Sequence, residues 1–87
     1  MPNRRLPREE IGERGVRIYE QKLRSILEPQ FHGQFVAIDV DSEDYEVATE
    51  ARDASNRLRE RHPDAQVLVE RVGYPAAFTA LSYRTRS

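Results

Sequence analysis

The chain has 87 residues, with 14 Lys+Arg against 15 Asp+Glu, a net charge of −1 and no cysteine. One domain with one modest core is what that length supports. The composition excludes disulfides, thiolate metal sites and cysteine nucleophiles, and the balanced charge supplies no global field toward nucleic acid.

A domain of this size hides only about 60% of the surface its unfolded chain exposes, so oligomerisation or a partner is an expected source of extra stability. The opening MPNRRLPREEIGERG has basic residues with no apolar run behind them, and no later stretch approaches membrane-spanning length. The expectation is a soluble, cytoplasmic protein.

From Pro7 to Glu28 the apolar residues Val16, Tyr19, Leu23 and Ile26 recur at steps of three and four, with Ile11, Ile18 and Leu27 widening the stripe. This predicts an amphipathic helix entered at Pro7, with Glu9 and Glu10 at the positive end of its dipole, and stopped by Pro29. Gly12 and Gly15 cost about 1 kcal/mol each relative to Ala and predict fraying of the first half.

Gln34 to Val40 reads as a strand with Val36, Ile38 and Val40 on one face and Phe35, Ala37 and Asp39 on the other. The acidic run Asp41 to Asp44 turns the chain into a short second strand, Tyr45 to Ala48. Thr49 is a candidate cap for a helix carrying Ala51, Ala54 and Leu58 and ending at His62-Pro63. Val67 to Val72, the most apolar run, is expected centrally in the sheet. Gly73-Tyr74-Pro75 turns into a fourth strand, Ala77 to Tyr83.

The fold class is therefore α+β: an N-terminal amphipathic helix followed by a ββαββ two-layer domain with a small, mainly antiparallel sheet. Residues 1–30 form the arm and helix, 31–83 the ββαββ domain and 84–87 a flexible tail. The first helix is the surplus element. It either covers the second sheet face, where Phe35, Val67 and Val69 would receive it, or docks on another chain.

Two constellations invite a chemical reading and neither sustains it. Asp39, Asp41, Glu43 and Glu50 fall at ligand positions of an EF-hand loop, but the obligatory glycine is Asp44 and the preceding segment is a strand. His62-Pro63-Asp64 is the tripeptide of J-domain co-chaperones, yet AQVLVERV follows as a strand, where that domain needs a helix. His32 and His62 have no second His or Cys at ligand spacing, no nucleophile elbow surrounds Ser25, Ser42, Ser55 or Ser82, and no glycine loop of phosphate-binding pattern exists. Neither catalytic residues nor cofactors are expected. Arg4, Arg5, Arg8, Arg84 and Arg86 gather at the two ends, where nucleic-acid contact is the minor reading beside solubilisation. Tyr74, on a tight turn beside a rigid proline, is the pointed surface feature, serving either as a contact or as a cap on the core.

Gly33, Phe35 to Asp39, the acidic turn Asp41 to Asp44, the Ala-rich helix Ala51 to Leu58, Pro63 to Ala65 and Arg71 to Gly73 together resemble a class of short bacterial proteins. That class is built on a domain of unknown function with a G-x-F-V-A-I-D, H-P-D-A and R-V-G pattern. The resemblance spans about half the chain and brings no catalytic residues. Proteins of that class are similar to the first product of two-gene operons whose second product looks like a small retropepsin-type protease or another toxin-like protein. The resemblance implies an antitoxin-like or chaperone-like partner; no Asp-Thr/Ser-Gly triplet is present, so the chain is not itself the protease. The expected function is that of a non-catalytic protein-interaction module contacting its partner through Val16, Tyr19, Leu23, Ile26, Leu27 and Tyr74. The partner is the same or a different protein chain, and no membrane, nucleic acid or small-molecule substrate is expected. Self-assembly as a homodimer and DNA binding are the alternatives.

Overall fold

The computed structural model describes residues 5–74. Over that span the chain runs α1 (Arg8–Ile18), a π-helical turn (Tyr19–Leu23), α2 (Arg24–Phe31), β1 (Phe35–Asp39), β2 (Tyr45–Ala48), α3 (Ala51–Arg61) and β3 (Val67–Arg71). It is a mixed helical and antiparallel architecture, an α+β fold. The expected fourth strand, Ala77 to Tyr83, and the tail lie outside the described residues.

The three strands form one antiparallel sheet in the order β2-β1-β3. Ile38 lies opposite Tyr45 on one side and Leu68 on the other. Among the described residues β1 is therefore central and β3 ends the order, with the expected fourth strand lying outside them. The burial of β1, where all but Phe35 are buried, reflects that position, whereas Val67, Leu68 and Val69 are only half-buried.

Helices cover both sheet faces. Val36, Ile38 and Val40, with Val72, pack under Ile18, Tyr19, Leu23 and Leu27 of the N-terminal helical rod. On the opposite face Ala37 and Ala48 receive Ala54 and Leu58 of α3, with Val67 and Val69 at the margin. The first helix thus docks internally, but on the Val36 face and not on Val67 and Val69. Full burial of each such Leu or Ile stabilises by about 1.5–3 kcal/mol, so the sheet takes from the rod a second core that α3, with its small alanine face, does not supply.

The π-helical turn explains how one stripe stays on the sheet. Tyr19, Leu23 and Leu27 are four residues apart, and in a regular α-helix each step of four drifts about 40° around the axis. Widening the turn, with the Arg24 N–H bonded back to the Tyr19 carbonyl, offsets that drift and keeps all three side chains buried.

Three local expectations are corrected. Helix continues through Pro29 to Phe31, because Phe31 gains partial burial against the core two residues beyond the break in hydrogen bonding. The first half of the rod is regular helix, with Gly12 and Gly15 buried. A Cβ on Gly15 would lie 2.7 Å from the Leu68 Cβ, so the glycine lets α1 approach β3 more closely than any larger residue allows. Finally, α3 is capped by Glu50, extended at φ −121°, with no side-chain bond, so Thr49 is not its cap.

Candidate functional site

The described chain ends in a turn built on two glycines. Gly33 and Gly73 adopt φ of 91° and 86°, the left-handed region that other residues enter only with strain. Gly33 N–H bonds to the Val72 carbonyl and Val72 N–H to the Gln34 carbonyl, both at 2.8 Å, and Tyr74 N–H bonds to the Arg71 carbonyl at 3.0 Å. A Cβ on Gly73 would stand 2.6 Å from His32 Nε2, so the turn and the His32 ring fit only with glycine there.

That backbone presents Tyr74 at the surface, 45% exposed. The His32 ring lies 4.9 Å from the Tyr74 ring at an angle of 51°. The Arg71 guanidinium lies 4.7 Å from the Tyr74 ring and 5.8 Å from that of Phe35, while its Nε–H bonds to the Gly33 carbonyl at 3.1 Å. An arginine sandwiched in this way and an aromatic with few free torsions are the side chains that carry binding energy at protein interfaces, since they lose little conformational entropy on contact. His32 also borders a shallow groove of about 530 Å³ lined by Glu20, Arg24, Ser25, Glu28 and Pro29.

The residues expected to form a docking stripe divide sharply. Tyr19, Leu23 and Leu27 are buried in the chain's own core and Val16 is half-buried, whereas Ile26 at 51% and Tyr74 are exposed. The reason is the sheet's second apolar face, which consumes the stripe. Of the expected contact residues, Tyr74 alone sits in a structured surface cluster, and Ile26 stands apart from it. His32, Phe35 and Arg71 complete the cluster and were not singled out from sequence as contacts. Their signal there is indirect: Gly33 and Gly73 flank them, and glycines at two strand ends mark a close backbone approach.

The acidic turn and the His-Pro-Asp tripeptide meet in a second cleft, about 300 Å³, lined by Asp39, Asp41, Ser42, Arg61, His62, Pro63, Asp64 and Ala65. The carboxylates of the acidic turn and of Asp39 before it are committed. Asp39, buried, accepts from Asp41 N–H at 3.1 Å, Ser42 Oγ at 2.8 Å and Gln66 N–H at 3.3 Å. Asp44 receives His62 Nε2 at 2.9 Å and Arg61 Nη2 at 2.9 Å, and these partners, His62 foremost, hold its carboxyl down to about 2. Glu43, at φ 68°, pairs with Lys22, and Glu46 with Arg61. Of the EF-hand positions, Glu43 pairs with Lys22 while Asp39 and Asp41 accept from uncharged donors, and among the described residues no group of three or more metal-binding side chains converges. Of the terminal arginines, Arg5 and Arg8 are exposed, while Arg4, Arg84 and Arg86 lie outside the described residues. No described helix is long and apolar enough to cross a membrane. No family model, curated protein or solved structure matches the chain.

Proposed function

We propose that the chain is a non-catalytic protein-interaction module whose contact surface is the cluster of Tyr74, His32 and Arg71. The observation that supports this reading is the exposed Tyr74 ring, in contact with a guanidinium and an imidazole at the end of a glycine-built turn. Such a ring meets a partner with its geometry already fixed, which lowers the entropic cost of association. The groove beside His32 extends the surface over the outer side of α2. The resemblance to the small first products of two-gene operons adds that the partner is the neighbouring gene product, with this chain in the antitoxin-like or regulatory role.

Affinity purification of the tagged protein from its native extract, with mass spectrometry and sizing of the product, tests the reading. The expected result is a stoichiometric second protein that is lost from Tyr74→Ala while the variant keeps its circular dichroism and melting behaviour. A chain that elutes alone as a defined dimer, or a partner retained undiminished by Tyr74→Ala, overturns it. The first outcome assigns the surface to self-assembly and the second moves it elsewhere.

A further inference from the structure

Glu70 is 1% exposed, and among the described residues neither carboxylate oxygen has a hydrogen-bond partner. On β3 it alternates with Leu68 and Val72 on the face turned to the helical rod, directly opposite Val36 of β1. From the rod, the ionisable groups that bear on it are Tyr19 and Glu20 of the π-helical turn. Tyr19 spends its hydroxyl on Glu28 and on Gly73 N–H, and the Glu20 carboxylate is held by Arg24 at 2.8 Å. On α1, Gly15 lies over Leu68, and on β1 the residue opposite Glu70 is Val36; neither of these two has a group to pair with a carboxylate.

An ionised carboxylate in such a place loses its hydration and gains nothing for it, whereas the neutral acid loses far less. Burial first, and then the Glu20 carboxylate, push the Glu70 carboxyl up from 4.5 to about 7. Tyr19 and Glu20, which bear on it, belong to the π-helical turn, a rare helical form found frequently at functional sites.

We propose that Glu70 is a proton-operated latch: protonated, it lets the π-helical turn lie closed on the sheet face that Val36 and Val72 share, and ionised, it drives that turn off the face. The consequence travels a short distance. Tyr19 of that turn holds Gly73 N–H at 3.0 Å, so opening frees the turn that presents Tyr74. This last step rests on the Tyr74 cluster being the contact surface; the latch itself does not.

The test follows the carboxyl directly. In the full chain, the side-chain carboxyl carbon of Glu70 and the amides of Tyr19 to Leu23 are titrated by NMR, alongside Glu70→Gln and, to separate the imidazole beside Gly73, His32→Asn. The expected result is one midpoint near neutrality shared by the Glu70 carboxyl and the π-turn amides. That step persists in His32→Asn and vanishes in Glu70→Gln, whose urea midpoint also loses the wild-type fall between about pH 4.5 and 7. A Glu70 carboxyl that titrates in the ordinary carboxylate range, or π-turn amides that move identically in Glu70→Gln, overturns the proposal. Should Glu70→Gln fail to fold, the wild-type titration decides alone, because amides moving with any midpoint other than that of the Glu70 carboxyl refute the latch. None of these readouts requires a partner, so the latch and the contact surface stand or fall separately.

Discussion

The Tyr19 hydroxyl ties the middle of the N-terminal rod to the backbone of the Gly73 turn, accepting Gly73 N–H at 3.0 Å while donating to Glu28 at 2.8 Å. Two residues 54 apart in sequence are thereby held at one point, under a ring that is fully buried. Burial, reinforced by the neighbouring Glu28 carboxylate, pushes the phenol up to about 12, so it stays a donor throughout the neutral range.

Tyr19→Phe keeps the ring and removes both bonds. It leaves the Gly73 N–H and the Glu28 carboxylate to find water at a partly buried site, which costs about 1–3 kcal/mol. Urea denaturation measures this, and a loss below about 0.5 kcal/mol, the range of ordinary surface changes, shows the hydroxyl to be idle.

Gly15→Ala sets two effects against each other. Alanine gains about 1 kcal/mol of helix propensity, but its methyl group would meet Leu68, with the Cβ atoms 2.7 Å apart. Overpacking of this kind costs about 1–3 kcal/mol, so net destabilisation is expected. In a double-mutant cycle Leu68→Gly, which removes the Cβ along with the rest of the side chain, relieves the clash, and the paired variant is more stable than the two single effects summed. Strict additivity refutes the close approach of α1 to β3.

The elements most legible in the sequence were those whose apolar spacing has a single period. The alternation in Gln34 to Val40 and the helical spacing of Ala51, Ala54 and Leu58 both recur in the structure. What the sequence concealed depends on long-range pairing. Whether the Tyr19-Leu23-Leu27 stripe faces the chain's own sheet or another molecule is decided by a second apolar face on β1 that periodicity reveals but does not assign. Glu70 sits in a run that reads as apolar, VLVER, and only the register with Val36 and the rod above it make the carboxylate buried. The contact cluster is assembled from three separate stretches, at His32, Phe35 and Arg71 to Tyr74, so no local motif announces it.

The ion cluster at the acidic turn gives a second, opposite pH dependence. Asp44 titrates at about 2 in the folded chain against an ordinary 3.8, so its partners stabilise the fold above about pH 4, and that contribution is lost as pH falls toward 2. The Asp44 side chain is 38% exposed, which limits the effect to about 1 kcal/mol or less through solvent screening. Asp44→Asn should lower stability slightly at neutral pH and leave it unchanged near pH 2. An equal deficit at both pH values assigns the loss to the turn's backbone geometry, not to charge.

Leu23→Asp separates fold from function. On sequence alone the change is expected to abolish partner binding and leave the sheet domain folded, because Leu23 lies on an amphipathic stripe. In the structure Leu23 is 5% exposed and packs within the cluster that includes Val36, Ile38 and Val40, so aspartate there loses a buried side chain and places a carboxylate in the core. Removing a buried Leu alone costs about 2–5 kcal/mol, and an unpaired buried charge adds to that. A domain of this size has about 4–13 kcal/mol in total, so Leu23→Asp is expected to unfold most of the population, seen as lost circular dichroism and collapsed amide dispersion. Ile26→Asp, at a 51% exposed position of the same rod, provides the control and should fold normally. If Leu23→Asp instead retains a native spectrum and only binding is lost, the rod does not depend on the sheet and its apolar stripe is itself the contact surface.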